Sequence, residues 1–484
     1  MEGLEISVLQ LTDVLIDNDN RRIDSEYFKK QFLSFFDSVP NLRPLGSLVK
    51  DGYRVVYENT KIVDSIEAIE RKYPIFLQAT DIKTPFISTE NLFYVDNTEW
   101  ERYPKGRIVP GEILIEVKGK IEKVAIVPDD FPKKTLVTGS LFKLTVNKKI
   151  SKNVLLTYLI SKFGVSFKDR YKTNLLISFV SKPDLYRIPV PTFSQELENI
   201  IDGLFKIITE AQKISKSVYK NAENILLEKL GLYNLTFSNE NFNKKSLSDS
   251  FLKSGRLDAE YYQPQYEELL SHINSVSNDK LGYLVTVKKS IEPGSGAYQE
   301  EGVPFIRVSN LSKYGLTDPE IHLDRTEFSN IIKPTKDSIL LSKDGTVGIA
   351  YKVEKDIDAI TSGAILHLKV KNKEKILPDY LTLVLNSIVV KMQAERDAGG
   401  SIIQHWKPSE IAQVVIPILD FEIQQEISDL VQESFKLKNE SEQLLQVAKQ
   451  AVEIAIEQNE DKAMEFINQN SKDAGKSGKH KPLD

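Results

Sequence analysis

Glu112-Ile-Leu-Ile-Glu116-Val-Lys118 is the stretch whose residue types and spacing come closest to a catalytic site. An apolar strand ending in Glu-x-Lys, with an upstream carboxylate such as Asp96, is how many metal-dependent nucleases hold magnesium beside an attacking water. Other chemistries find less. The five histidines, His272, His322, His367, His405 and His480, are scattered without the spacing of a metal site. There is no Gly-x-Ser-x-Gly elbow, no Walker loop, and no Asn-Pro-Pro-Tyr or Asp-Pro-Pro-Tyr loop to hold a flipped base for methylation. Gly345-Thr-Val-Gly348 and Gly294-Ser-Gly296 read as turns, and the absence of cysteine excludes disulfides and thiolate metal sites. The expectation is a chain with no catalytic and no metal-binding residues of its own.

Binding chemistry is better represented. Arg102, Lys105, Arg107, Lys118, Lys120, Lys123, Arg170 and Lys172 could meet phosphates, which supply sequence-independent affinity for DNA. Arg307, Asn310, Lys343, Gln404, His405 and Lys407 fall in turn-like stretches, where Asn and Gln can read adenine and Arg or Lys can read guanine. Net charge is only −5, yet it is unevenly placed. Residues 101–172 hold 16 Lys or Arg against 7 Asp or Glu, whereas residues 422–465 hold 4 against 11. A basic region and an acidic helical region point to different partners. No apolar run approaches the roughly 20 residues of a membrane span, and the first residues lack a basic leader, so a cytoplasmic location is expected.

The elements that would position these residues occur twice. Arg22-Ile-Asp24-Ser-Glu26-Tyr27-Phe28 is answered by Arg256-Leu-Asp258-Ala-Glu260-Tyr261-Tyr262. In the same order, Leu45-Gly46 is answered by Leu281-Gly282, Tyr73-Pro74 by Val303-Pro304, Gly111 through Gly119 by Asp337 through Gly345, and Thr138-Gly139 by Ser362-Gly363. So long a period makes each copy a domain rather than a solenoid repeat. The repeat also weakens the nuclease pattern, because the second copy reads Ser338-Ile-Leu-Leu-Ser342-Lys343-Asp344 where the first has both glutamates and Lys118.

Within the first copy, a helix is expected around Ser25–Asp37, strands at Arg54–Tyr57, Ile113–Ile115, Val124–Val127 and Leu141–Leu144, and a helix over Ile150–Phe163. Each copy ends in a Pro-containing segment, Pro189-Val-Pro191 or Ile416-Pro417, followed by a heptad seam. The first seam is Leu197, Ile201, Leu204, Ile208, Ala211, Val218, Ala222 and Ile225, broken only by Ser215. The second is Ile423, Ile427, Leu430, Leu437, Leu444, Ala448, Ala451 and Ala455, with Ser434 and Ser441 inside it. Two helices of about 30 residues would each be about 45 Å long. The expected division is a first domain over 1–191, a long helix over 192–231, a linker over 232–255, a second domain over 256–418, a second long helix over 419–467 and a disordered tail over 468–484.

With Arg256 through Pro264 and its earlier copy, Pro304 through Leu311, Ile339 through Gly348, and Gly399 through Pro408 to Ile416-Pro417, the chain resembles the DNA-specificity subunit of Type I restriction-modification systems. The motifs, their order and their duplication cover nearly the whole chain. The resemblance implies an α/β (α+β) protein with two mixed target-recognition domains, separated by two long helices that pack as an antiparallel coiled coil with pseudo-twofold internal symmetry. It implies a non-catalytic adaptor for DNA methylation and phage defence, each domain reading one half of a split double-stranded DNA target. Two methyltransferase subunits, which carry the S-adenosylmethionine, would dock on the helices, and motor-nuclease restriction subunits would join them. No cofactor is expected in this chain. The copies diverge between shared motifs, with Arg170-Tyr-Lys-Thr facing Arg396-Asp-Ala-Gly, and Gly119-Lys-Ile-Glu122 facing Gly345-Thr-Val-Gly348. Two other classes stay open on the residues: a metal-dependent nuclease using Glu116 and Lys118, and a structural coiled-coil adaptor with no DNA role.

Overall fold

The computed structural model describes residues 6–471 apart from 16–17, 19–20, 58–59, 64–67, 70, 91, 174–176, 239, 241 and 399–403. Helices and strands alternate irregularly through two similar modules, and the chain divides into two compact units. The first unit is Met1–Glu210 with Glu440–Asp484, and the second is Ala211–Asn439. Both long helices are therefore divided between the units.

In the first unit a four-stranded antiparallel sheet carries the module. Leu141–Val146 lies between Val49–Tyr53 and Ile113–Glu116, and Val124–Ile126 closes the other edge. Ile113–Glu116 is buried along its whole length, as expected for an apolar run covered on both faces. The expected strand over Arg54–Tyr57 does not form. Pairing stops at Tyr53, Arg54 Nε donates to the Gly139 carbonyl at 2.6 Å, and Tyr57 Oη donates to the Val137 carbonyl at 2.5 Å. The β-forming side chains there serve packing across the module rather than a ladder. The early helix is Lys30–Ser38, preceded by a turn. The expected helix over Ile150–Phe163 is two helices, Lys152–Ile160 and Lys162–Tyr171, because Ser161 adopts an extended backbone and caps the second through Gly164.

The second unit repeats the plan. Val285–Lys289, Ile365–Val370, Ile339–Ser342 and Ala350–Lys352 form the equivalent four-stranded sheet, and Pro378–Asn386 and Ile388–Asp397 are the equivalent helices. The duplicated Arg-x-Asp-x-x-Tyr motif explains itself here. Arg256 Nε donates to Asp258, Arg256 Nη1 donates to the Asp397 carbonyl at 2.9 Å, and the guanidinium lies 4.5 Å from the Tyr261 ring centre. In the first unit Arg22 Nη1 donates to the Arg170 and Lys172 carbonyls at 2.8 and 3.0 Å, and Arg22 pairs with Asp24. Each arginine thus satisfies carbonyls at a helix C-terminus that have no intrahelical donor.

The long helices are Gln195–Lys229 and Phe421–Glu457, 35 and 37 residues, or about 53 and 55 Å at the usual rise. The second stops short of the expected span. Asn459 accepts from the Lys462 amide and starts a separate helix, Glu460–Asn470, so Gln469 and Asn470 are helical; the rest of the expected tail, 472–484, lies outside the described residues. In the first unit Leu197, Ile201, Leu204 and Ile208 share one core with Leu444, Ala448 and Ala451, and the Ser194 amide donates to Glu460 at 2.9 Å, so the start of one helix meets the end of the other. In the second unit Tyr219, Ala222 and Leu226 share a core with Ile427, Val431 and Phe435. The pairing is antiparallel. Among the described residues no helix is long and apolar enough to cross a membrane.

Candidate nucleic-acid interface

The loop that follows the central strand is built the same way in both modules. In the first, the Glu116 amide donates to the Lys123 carbonyl at 2.8 Å, and Glu116 Oε2 accepts from the Glu122 and Lys123 amides at 3.2 and 3.4 Å. In the second, the Ser342 amide donates to the Ile349 carbonyl at 2.9 Å, and Ser342 Oγ accepts from the Ile349 amide at 2.9 Å. Glu116 is therefore the counterpart of Ser342, an internal brace for a loop rather than a free metal ligand. Asp96 is likewise occupied, capping the helix Asn97–Arg102 through the Thr98 and Glu99 amides. The Thr98 hydroxyl bond, with those amides, holds the Asp96 carboxyl below its ordinary range. Among the described residues no group of three or more acidic or histidine side chains is arranged to hold a metal.

The braced loop carries exposed side chains at its tip. Gly119 and Gly345 both have positive φ, +105° and +75°, a conformation that favours glycine and that turns the chain at the same place in each copy. The tip is held by a returning segment. In the first module the Gly119 amide donates to the Ser178 carbonyl at 3.0 Å, and Lys118 bridges to Phe179. The Thr173 amide donates to the Phe179 carbonyl at 2.8 Å, which brings Lys172 to the same place as Lys118 and Lys120. In the second module Asp344-Gly345 pairs antiparallel with Gln404-His405. His405 Nδ1 lies 2.9 Å from Asp344 Oδ1, Lys343 pairs with Asp344, and the Trp406 amide donates to the Lys343 carbonyl at 2.8 Å. Burial raises the Asp344 pKa, but the bonds from Lys343 and His405 outweigh it and hold the carboxyl below its ordinary range.

Arg307 and Asn310 reach this neighbourhood through one turn. The Ser362 amide donates to the Ile306 carbonyl and the Lys343 amide to the Ala364 carbonyl, both at 2.8 Å, so residues 362–364 link the two segments. Arg307 is exposed, its amide donating to Asn310 Oδ1 at 3.0 Å. Lys407 is exposed at the start of the helix Pro408–Ile411, with its amide donating to Glu410. Lys343, Gln404, His405 and Lys407 are thus brought together on one loop pair. The stretch Gly399 to Ile403, whose beginning belonged to the sequence motif, lies outside the described residues.

Other candidates are placed differently. Arg170 is buried: its Nε donates to the Tyr27 carbonyl at 2.9 Å and its guanidinium lies 4.3 Å from the Tyr27 ring centre and near Phe32 and Phe36. It belongs to the packing of the first module and not to its surface. Arg107 stacks 4.3 Å over Trp100 and donates to the Trp100 carbonyl, and Lys123 Nζ donates to the Ala79 carbonyl at 2.9 Å, with burial lowering the lysine's pKa. Arg102 and Lys105 are exposed on a separate helix and turn, beside Tyr103 and Tyr53 respectively. Sequence reasoning missed Asp344, and it missed Ser178 and Phe179, the counterparts of Gln404 and His405. Their signal was present, since the register from Arg170 to Arg396 carries over eight residues further on.

The two units thus share one mixed module and one braced loop pair, with different residues at the tip. Residues 278–449 match the family described as Type I restriction modification DNA specificity domain. The match covers the second module and most of the second long helix. A search of curated proteins finds no match. Among solved structures, the Type I restriction-modification S subunit from M. genitalium is 14% identical over 89% of this chain and 96% of that one, with a TM-score of 0.35. The HsdS subunit from Thermoanaerobacter tengcongensis is 14% identical over 89% and 97%, with a TM-score of 0.27. Scores this low carry no weight for fold or function.

Proposed function

We propose that this chain is the non-catalytic specificity subunit of a Type I restriction-modification complex, reading a bipartite double-stranded DNA target with one module per half. The observation that supports this most is a conserved scaffold with exchanged tips. The same braced loop pair carries exposed Lys118, with Ser178 and a half-buried Phe179 under Arg54, in the first module, and Asp344 with exposed Gln404 and His405 in the second. Two readers of different half-sites require this: an identical frame with different hydrogen-bonding chemistry at the point of contact. In the first module Lys118, Lys120 and Lys172, with Arg102 and Lys105, supply phosphate contacts. In the second, Arg307, Asn310, Lys343, Gln404, His405 and Lys407 do the reading.

In this reading the divisions at 1–191, 192–231, 232–255, 256–418 and 419–467 are functional ones. The paired helices set the spacing of the half-sites, and two methyltransferase subunits carrying S-adenosylmethionine dock against them, with motor-nuclease subunits joining for restriction. Two equivalent modules offer two equivalent docking places, which suits two copies of one catalytic partner. The test is a map of methylated adenines in cells that co-express the chain with its methyltransferase subunit. A split motif is expected. Exchange of residues 282–417 for those of another such chain should change one half-site alone, and removal of one heptad from both helices should shorten only the gap. An unsplit motif, or a gap indifferent to helix length, would overturn the reading.

A further inference from the structure

The two modules solve one site on their four-stranded sheets in opposite ways. In the first, Leu114 pairs with Lys143 and Ile113 with Leu144, and the residue before that strand is Glu112. Glu112 is 5% exposed; its Oε2 accepts from the Val109 amide at 2.9 Å and its Oε1 from Lys143 Nζ at 2.9 Å. The charge of Lys143 is met from within the protein. In the second module Leu340 pairs with His367 and Ile339 with Leu368, which makes Ser338 the counterpart of Glu112 and His367 that of Lys143. The equivalence extends to the turn, because Ser338 Oγ accepts from the Thr335 amide at 3.2 Å as Glu112 accepts from that of Val109.

Replacing a glutamate by a serine leaves room, and the edge strand Val285–Lys289 and its neighbour Ile365–Val370 fill the rim with cations. Lys288 stands opposite His367, where the first module has Tyr53 opposite Lys143. Lys369 stands opposite Thr286, where the first module has Thr145 opposite Asp51. The result is a cleft of about 420 Å³ lined by Thr286, Lys288, Lys333, Thr335, Ser338 and Lys369 around the buried His367. Lys333 has a partner in Asp358 at 2.5 Å. Neither Lys288 nor Lys369 makes an ion pair among the described residues. The first-module carboxylates Asp51 and Glu112 are answered in the second by Thr286 and Ser338, and the carboxylate nearby, Asp358, is paired with both Lys333 and Arg325.

We infer that this cleft of the second module is a phosphate-binding site, in which a tetrahedral oxyanion supplies from outside the negative charge that Glu112 supplies in the first module. Lysine ammonium groups on flexible stems suit phosphate as point charges. His367 forms the floor, its Nε2 held 2.7 Å from Thr361 Oγ1. The inference stands apart from the reading of the chain as a specificity subunit, because free phosphate probes it without DNA.

The test is calorimetric titration of inorganic phosphate into the full chain, with chloride at equal ionic strength as reference. One saturable site per chain is expected. Replacing Lys288 with Ser and Lys369 with Thr should weaken it by about tenfold or more, and because both side chains are exposed the fold should be retained. Ser338→Glu, which installs the first module's carboxylate, should abolish it. An absent site in the native chain, or a site equally strong in the double lysine variant, would overturn the inference. Displacement of phosphate by a short duplex would assign the site to the DNA backbone, and retention of phosphate beside bound duplex would assign it to a free phosphate; either result upholds the site.

Discussion

Ser215 and Ser434 exchange hydrogen bonds across the two long helices, each hydroxyl donating to the other's backbone carbonyl at 2.8 Å, with both residues buried. Ser215 is the serine that breaks the first heptad seam, and Ser434 is one of the two, with Ser441, inside the second. A leucine at either place would satisfy the heptad and forfeit the close approach of the backbones. Ser215→Ala is expected to cost about 1 kcal/mol, the worth of one buried hydrogen bond, and Ser215→Leu about 1–3 kcal/mol through overpacking. Urea unfolding midpoints would show this. A leucine variant more stable than the native chain would mean the serines are not there for close packing.

The arginine clamp predicts a difference between two neighbouring residues. Arg256 ties Asp258 to the end of the helix Ile388–Asp397, and its pKa is raised by the bond to Asp258, whereas Leu257 between them is 73% exposed. Arg256→Lys keeps the charge and loses the fork, so a loss of about 1–3 kcal/mol is expected. Leu257→Ser should change stability by less than about 0.5 kcal/mol. Thermal unfolding of the two variants decides between clamp and simple surface charge, since equal effects would contradict the clamp.

On the proposed function, recognition separates by module. His405→Phe combined with Asp344→Lys puts the first module's residues on the second module's tip. Methylation mapping should then show one half-site altered or lost and the other unchanged. Loss of both halves together would indicate damage to the fold or to partner docking rather than altered reading.

What the sequence disclosed follows the range of the interactions involved. The strands Ile113–Glu116 and Ile339–Ser342 were readable because burial on both faces leaves an apolar run, and the duplicated arginine motif because its residues are consecutive. Arg170 looked like a surface cation because its partners Tyr27, Phe32 and Phe36 lie well over a hundred residues earlier. The cleft was illegible for the same reason: Lys288 and Lys369 share it only through a cross-strand register spanning some eighty residues. Glu116 stayed open as an alternative metal ligand, already weakened by the repeat, because a brace and a ligand look alike in sequence until the amides they meet are known.

His367 gives a pH prediction. Burial, with Lys288 opposite, lowers its pKa to about 4. Below pH ~6.5 the unfolded chain takes up a proton that the folded chain refuses, so stability falls as pH drops from about 6.5 to about 4 and levels off below that. The full span corresponds to about 3 kcal/mol. His367→Gln should flatten that part of the stability profile measured by urea unfolding at successive pH values. A profile unchanged by the substitution would show that another group is responsible.

The loop braced by Glu116 carries the last prediction. Lys168 is buried beside it, its Nζ donating to the Glu122 carbonyl at 2.9 Å, and burial lowers its pKa to about 8 against the pull of Glu116 and Glu122. The second module has Ser342, Ala394 and Gly348 at the corresponding places, a solution without charge. Lys168→Ala alone removes one of the two buried or half-buried lysines, with Lys123, that offset the buried Glu116 and should cost about 3 kcal/mol, as breaking a buried charge arrangement from one side does. Adding Glu116→Ser and Glu122→Gly should recover most of that loss, with a coupling of about 1–3 kcal/mol in the mutant cycle. The pH sign is also fixed. Below pH 8 the lysine is charged in both states, and between about 8 and 10.5 only the unfolded chain keeps the proton, so this group's contribution to stability rises with pH there. Lys168→Ala should remove that rise. Should the triple variant be no more stable than Lys168→Ala, the three residues would not form the unit that the second module's Ser342, Ala394 and Gly348 imply.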